Sequence, residues 1–263
     1  MIRNFFGEIL GTFILVFFGC GVGGVSVLFG AHNGLFQVAA VWGIGVTLAI
    51  YASRYLSCAH LNPAVTIAMA VAKRMNPKKL PVYISAQFLG AFLAAACLYV
   101  LFSNSIRVFE QAHGIVRGAG ESAATAMMFG EYFPNPGFAK VCAVSELGAC
   151  FAEGIGTFIL VMMIFLLTEG CNVGRPESSF SPILIGATAS ALISIIAPFT
   201  QAGFNPARDF APRLFSYFAG WRNVAIPGPN GGFFTVYILS PIMGGICAAL
   251  LFVYVIQPLM ERG

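Results

Sequence analysis

The sequence predicts an all-α membrane protein with six transmembrane helices, two re-entrant half-helices and an inverted internal repeat. Three observations predict this fold class. Of 263 residues, 58% are hydrophobic and only 9% are charged, whereas a soluble domain carries about 25% charged residues. Two short apolar segments begin with Asn-Pro, and the second half of the chain repeats the first. We interpret residues 1–263 as a single transmembrane domain.

The six predicted spans are apolar stretches long enough to cross the membrane, which takes about 20 helical residues for a ~30 Å hydrocarbon core. They cover approximately residues 5–29, 35–53, 80–102, 145–168, 181–199 and 233–257. The first is interpreted as a retained span, because it is too long for a secretory signal and contains Glu8. The seven cysteines show no C-x-x-C spacing and are interpreted as small hydrophobic residues, not as disulfide or zinc ligands.

The internal repeat is literal in places. Residues 11–16, Gly-Thr-Phe-Ile-Leu-Val, recur as residues 156–161, and Glu8 recurs as Glu153. Asn-Pro-Ala at 62–64 recurs at 205–207. Because each half contains three spans, an odd number, the second half must enter the membrane in the opposite sense. The sequence therefore predicts inverted repeats at about 5–103 and 145–257, joined by an external loop at 104–144.

The two short segments, residues 63–72 and 206–218, reach only about 15 to 20 Å as helices, roughly halfway across the bilayer. Each is preceded by Asn, a strong N-cap, and begins with Pro, which is favoured at the first helical position. In an inverted repeat the two N-termini meet near the membrane midplane. Broken backbone at this depth is tolerated only where it is buried in protein or lines a cavity. The simplest such cavity is a pore.

The chemistry of this pore follows from its centre. Two helix N-termini repel a cation, and the amides of Asn62 and Asn205 can donate hydrogen bonds to a neutral permeant. Carbonyl groups of residues 57–61 and 201–204 can act as acceptors along the wall. Arg208 is interpreted as a donor at the narrowest outer part of the pore; an ion pair with Asp209 or a side chain that reaches the surface is the alternative, and sequence physics leaves both open.

Basic residues predict the orientation. Five of them, with no acidic residue among them, surround the first half-helix: Arg54, Lys73, Arg74, Lys78 and Lys79. The positive-inside rule places this region, both termini and the turn near Arg175 in the cytoplasm. We expect a multi-pass protein of a bacterial inner or plasma membrane. The other basic residues are scattered, so no nucleic-acid partner is predicted.

These motifs resemble those of a known family. Residues 59–66, Ala-His-Leu-Asn-Pro-Ala-Val-Thr, and residues 205–210, Asn-Pro-Ala-Arg-Asp-Phe, are similar to the paired signatures of the aquaporin superfamily, the major intrinsic protein family. Asp209 and the segments 42–46 and 110–118 resemble its glycerol-facilitator branch. The resemblance implies an aquaporin-like fold, a passive channel for glycerol and other small uncharged solutes with some water, exclusion of ions and protons, and a homotetramer. It implies no cofactor and no enzymatic activity.

The resemblance also implies a selectivity filter formed by Trp42, Ile193, Ala202 and Arg208. A typical glycerol facilitator has Gly at the position of Ile193 and Phe at that of Ala202, so this filter is closer to that of plant nodulin-26-like channels. For this reason the sequence leaves the preferred solute open among glycerol, urea, ammonia, diols and metalloid acids.

Two further positions depart from the branch, and a third has no assigned place. Tyr237 stands where the glycerol branch usually has Pro, and Arg213 replaces its usual Lys. Phe204, directly before Asn205, is a candidate aromatic wall for the pore.

Several residues have two interpretations. Glu8 and Glu153 either relay protons in a proton-coupled secondary transporter or brace the pore loops by accepting backbone N–H bonds, and the resemblance favours bracing. His60 either contacts the permeant or is a packing residue, and packing is favoured. No His, Cys and Asp residues have the spacing of metal ligands, and no nucleophile and base pair within the spans supports a membrane enzyme. The lack of a large external domain disfavours an adhesion protein.

Overall fold

A computed structural model describes residues 1–32 and 34–261, and this part of the chain is helical without strands. Six helices are long and apolar enough to cross a membrane. The predicted fold class, six spans with two half-helices, is confirmed. The helices are α1 (Ile2–Phe29), α2 (Leu35–Ser57), α3 (Pro63–Val71), α4 (Leu80–Ala112), α5 (Ala123–Ala126), α6 (Glu146–Thr168), α7 (Ser181–Thr200), α8 (Pro206–Ser216), α9 (Ser240–Leu251) and α10 (Gln257–Met260), the last two lying with π-helical turns in one span, Thr235–Met260.

The third span differs most from its prediction, because α4 continues ten residues past residue 102. The polar residues after 102 gave the impression of a loop, yet Ile106 and Glu110 lie one turn apart and are both buried. The Glu110 carboxylate accepts hydrogen bonds from Arg117 Nη2 (2.8 Å) and Thr125 Oγ1 (2.9 Å). These contacts stabilise the polar end of α4, so the connecting segment begins at about residue 113.

The half-helices begin where the sequence predicts. The side-chain oxygen of Asn62 accepts from Ala64 N (2.8 Å) at the start of α3. The oxygen of Asn205 accepts from Ala207 N (3.0 Å) at the start of α8. At 1.5 Å per residue the nine residues of α3 and eleven of α8 span roughly 14 and 17 Å, so neither crosses a bilayer.

Glycines allow the long helices to approach closely at equivalent positions of the two repeats. A Cβ atom at Gly90 of α4 would lie 2.5 Å from the carbonyl oxygen of Ile9, and one at Gly244 of α9 would lie 2.1 Å from that of Gly154. A Cβ atom at Gly186 of α7 would lie 2.3 Å from the carbonyl oxygen of Gly43 in α2. Backbone contact through small residues is the usual mode of packing between membrane helices.

This contact predicts the effect of adding one methyl group. Gly186→Ala should destabilise the fold by about 1–3 kcal/mol, because the new Cβ would lie 2.1 Å from Thr47 Oγ1 and 2.3 Å from the carbonyl oxygen of Gly43, and the backbone oxygen cannot move aside as a side chain can. Gly23→Ala in α1 is the matched control, since a Cβ there has no neighbour within 4 Å. Thermal unfolding of the purified variants in detergent measures the difference. Equal unfolding temperatures would contradict the assigned crossing of α2 and α7.

Candidate functional site

A cavity of about 550 Å³ runs between the two half-helix tips and is bordered by α1, α2, α6 and α7. Most of the predicted site residues line it: Trp42, His60, Asn62, Ile193, Ala202, Phe204, Asn205 and Arg208. The remaining ones lie outside its lining, in the surrounding structure: Glu8, Glu153, Asp209 and Tyr237. The site predicted from the sequence therefore contains two kinds of residue: those that line the cavity and those that lie behind its lining.

The two tips are joined by reciprocal hydrogen bonds. Asn62 Nδ2 donates to the carbonyl oxygen of Phe204 (2.9 Å), and Asn205 Nδ2 donates to that of Leu61 (2.8 Å). Each asparagine oxygen is already occupied by capping its own half-helix. Because an amide nitrogen carries two hydrogens, each asparagine keeps one N–H for a molecule in the cavity.

The loops that lead into the tips have left-handed backbone at matching positions. Cys58, Ala59 and Leu61 have φ of 73°, 54° and 55°. Their counterparts Gln201, Ala202 and Phe204 have φ of 62°, 63° and 55°. Non-glycine residues adopt this conformation at a cost of order 1–3 kcal/mol each, so surrounding contacts must hold it.

Glu8 supplies those contacts to the first loop. Its carboxylate accepts from the backbone N–H groups of His60 (3.0 Å) and Leu61 (2.7 Å). It also accepts from Ser57 Oγ (2.6 Å) and Gln87 Nε2 (2.6 Å). All of these partners are donors, and both carboxylate oxygens are occupied.

Glu153 does the same for the second loop. It accepts from Gly203 N (2.9 Å), Phe204 N (2.7 Å) and Thr200 Oγ1 (2.6 Å). Tyr237 also contacts this loop: its hydroxyl donates a hydrogen bond to the carbonyl oxygen of Thr200 (3.1 Å). A loop-bracing geometry therefore surrounds both glutamates, and a proton-relay role is not favoured.

Arg208 is buried, with 3% of its surface exposed, and lines the cavity beside Trp42. Its guanidinium carbon lies 3.9 Å from the centre of the Trp42 ring, in the range of a cation–π contact. The guanidinium also forms an ion pair with Glu131.

The alternative interpretations of Arg208, pairing with Asp209 or extension to the surface, were wrong. Asp209 pairs with Arg213, which donates from Nε (3.0 Å) and Nη2 (2.8 Å). The reason is helical geometry: residues one position apart do not face each other, whereas residues four apart do.

Two glycines make room for aromatic rings. A Cβ at Gly19 of α1 would lie 2.1 Å from ring atoms of Trp42, and one at Gly156 of α6 would lie 2.1 Å from Phe204. Phe204 therefore packs over α6 with its ring against Gly156. Gly11, the counterpart of Gly156, gives the same space to Leu61, the counterpart of Phe204. Gly11 and Gly156 occupy the same position in the repeated segments 11–16 and 156–161, and this repeat was the sequence signal for their shared role.

His60 lines the cavity below the tips, with its ring centre 5.0 Å from that of Tyr83. Beyond it the wall becomes apolar, with Val46 and Ile50 on one side and Leu160 and Ile164 on the other. Three arginines border the far end: Arg54, Arg74 and Arg175.

Within residues 1–32 and 34–261, no group of three or more His, Cys, Asp or Glu residues is arranged to hold a metal ion.

Six spans around a cavity that narrows between two capped half-helix tips define a multi-pass membrane channel. The chain belongs to the major intrinsic protein family, whose profile matches residues 1–252. This finding confirms the family resemblance seen in the sequence.

Individual relatives agree with this assignment. The chain is 42% identical to a glycerol uptake facilitator protein of Pseudomonas aeruginosa over 243 residues, covering 92% of this chain and 84% of that one. It is 38% identical to a propanediol uptake facilitator of Salmonella typhimurium, covering 95% and 92% of the two chains. The X-ray structure of the aquaglyceroporin from Plasmodium falciparum matches with a TM-score of 0.83 at 27% identity, covering 100% of this chain and 99% of that one.

The contact between Gly19 and Trp42 can be tested directly. Gly19→Ala should displace the indole into the cavity and slow the entry of small neutral solutes into proteoliposomes by roughly threefold, which corresponds to about 0.7 kcal/mol. Gly23→Ala, one turn further along α1, is the control because its Cβ meets open space. An unchanged rate in Gly19→Ala, with the protein folded, would show that Trp42 does not limit the passage.

Proposed function

We propose that this chain is a passive channel that lets glycerol and other small uncharged solutes, with some water, diffuse across the membrane and excludes ions and protons. The observation that carries the proposal is the pair of half-helix tips, each of which turns one free amide N–H toward the same cavity. The names of the bacterial relatives support glycerol as a permeant. The proposal involves no covalent chemistry, no cofactor and no enzymatic step.

The wall of the cavity suits a molecule with both carbon and hydroxyl groups. Trp42, Ile193 and Ala202 offer apolar surface, whereas Arg208 and the two asparagines offer N–H donors. A polyol can keep its carbons against the apolar side and its hydroxyls against the donors, so it loses little on leaving water. The apolar side chain of Ile193 also favours propanediol, the solute in the name of the Salmonella typhimurium relative. Urea is a further candidate, because it is small and uncharged.

Exclusion of ions follows from the same parts. Each helix N-terminus carries roughly half a positive charge, so two of them disfavour a cation at the centre. A water molecule that accepts hydrogen bonds from both asparagines turns its own hydrogens away from the tips, which interrupts a continuous chain of proton transfers. An ion would also lose its hydration shell without full compensation.

We also propose that both termini and the turn near Arg175 face the cytoplasm of a bacterial cell, with the segment between α4 and α6 outside. The positive-inside rule supports this orientation, and Arg54, Arg74 and Arg175 cluster at one end of the cavity. A homotetramer with one pore per protomer is proposed from the family resemblance.

Stopped-flow measurements on proteoliposomes test the function. We expect glycerol to enter faster than into empty liposomes, at a rate that stays proportional to its concentration and ignores a pH gradient, because the carboxylates of Glu8 and Glu153 lie outside the cavity lining and accept hydrogen bonds from the pore loops. Entry no faster than into empty liposomes would refute the channel. Entry that saturates and accelerates with an inward proton gradient would instead support the proton-coupled transporter.

The width of the filter is tested at Ala202, whose side chain is buried and lines the cavity. Ala202→Phe should lower the ratio of glycerol to water permeability by at least about threefold, since the larger solute meets the new ring first. Ala187→Phe, at an exposed position of α7, is the control and should leave the ratio unchanged. An unchanged ratio in Ala202→Phe would remove this residue from the filter.

A further inference from the structure

A residue from the segment between α4 and α6 reaches the filter. Glu131 is 4% exposed, and its carboxylate forms the ion pair with Arg208. It is 77 positions away from Arg208 in the sequence. Its second carboxylate oxygen is buried and has no hydrogen-bond partner within the described residues. Glu131 also borders a side cavity of about 190 Å³ next to Tyr132 and Arg213.

The backbone around Glu131 is docked on the second half-helix and its loop. Its N–H donates to Asp209 Oδ1 (2.7 Å), and its carbonyl oxygen accepts from Arg213 Nη2. The next N–H, of Tyr132, donates to Gln201 Oε1 (2.9 Å). These bonds fix the position of residue 131 independently of its side chain. The carboxylate is thus held at the filter by a structure that a conservative substitution leaves in place.

The charges around the filter indicate what the Glu131 carboxylate does. Asp209 and Arg213 neutralise each other through two hydrogen bonds. This leaves Arg208 as a buried cation at the positive end of α8, where a helix N-terminus disfavours it. Glu131 is the acidic side chain that pairs with it. Without Glu131, the narrow part of the passage would carry an unbalanced positive charge next to Trp42.

The ion pair with Glu131 also affects how many N–H donors Arg208 can offer to a permeant. A guanidinium has five N–H groups; the Glu131 carboxylate lies against the Nη1 group, and Trp42 covers one face of the plane. An N–H group that faces the carboxylate is less available to a permeant than one that faces the cavity. Both the number of donors and the net charge that a solute meets at the filter therefore depend on Glu131.

We propose that Glu131 is a specificity-determining residue of the channel: it is the counter-ion that keeps the filter electrically neutral and limits the hydrogen bonds that Arg208 offers to a passing solute. A neutral filter holds uncharged molecules weakly enough for them to leave and gives small anions no cationic site at which to shed water. The proposal deepens the proposed function and rests on it.

The test compares Glu131→Gln with Glu121→Gln in proteoliposomes. Glutamine preserves the size of the side chain and removes its charge, while Glu121 is an exposed glutamate of the same segment that does not contact the filter. Glycerol and water permeabilities are measured by stopped flow. Nitrate entry is measured in a potassium nitrate gradient with valinomycin present, so that potassium can follow the anion.

We expect Glu131→Gln to change the ratio of glycerol to water permeability by at least about twofold, or to raise nitrate entry at least about threefold above Glu121→Gln. Either change supports the proposal. A folded Glu131→Gln protein that matches Glu121→Gln in both measurements overturns it.

A second pair of variants decides the matter if Glu131→Gln does not fold. Arg208→Ala leaves the carboxylate unpaired in the filter and should admit sodium, whereas Arg208→Ala/Glu131→Gln removes both charges. The sodium leak of the double variant should be at least about threefold lower. Equal leaks would refute the role of Glu131. A native protein that conducts no glycerol would refute the proposed function, and the nitrate and sodium leaks would still decide whether Glu131 balances the charge of Arg208.

Discussion

The reciprocal hydrogen bonds between the half-helix tips are the interaction on which the rest of the site depends. Two helix N-termini carry like partial charges and repel each other. Asn62 and Asn205 overcome this by donating across the gap to Phe204 and Leu61 while capping their own helices. The bonds hold the tips at a distance that leaves a passage, and the donors that remain point to the same space.

The buried glutamates make this arrangement possible inside a membrane. The loops before the tips contain backbone N–H groups that lie outside the helices, and lipid offers no partner for them. Glu8 accepts the N–H groups of His60 and Leu61, and Glu153 accepts those of Gly203 and Phe204. One structural solution was duplicated with the repeat, which explains why the two carboxylates occupy matching positions and why a proton-carrying role fits them poorly.

The proposed filter lies where the repeats differ. The position of Arg208 in the second half-helix corresponds to Val65 in the first, and that of Asp209 corresponds to Thr66. Thr66 bonds to Asn62 and Gln87 within its own repeat, whereas Asp209 and Arg213 dock the segment that carries Glu131. The two repeats thus share the half-helix and its cap, whereas Arg208 of the proposed filter and its neighbour Asp209 occur in the second repeat alone.

The sequence predicted those parts of the structure that depend on local pattern. Apolar length located the six spans, Asn-Pro located the starts of α3 and α8, and the repeat located the cavity between them. The end of α4 was mispredicted, because Glu110 is buried only through its contacts with Arg117 and Thr125. The partner of Arg208 was missed for a similar reason, since nothing in the sequence indicates that residue 131 folds back onto residue 208. The position of the Trp42 ring depends on the space left by Gly19. The sequence does not show this dependence, because it does not reveal that the two residues are in contact.

The most direct measurement is an experimental structure of the protein soaked with glycerol. The account predicts solute density in the cavity with a hydroxyl oxygen within about 3 Å of the side-chain nitrogens of Asn62 and Asn205, and a second molecule beside Trp42 and Arg208. A structure in which the tips are separated by bulky side chains, or in which glycerol occupies a different route through the protein, would contradict it.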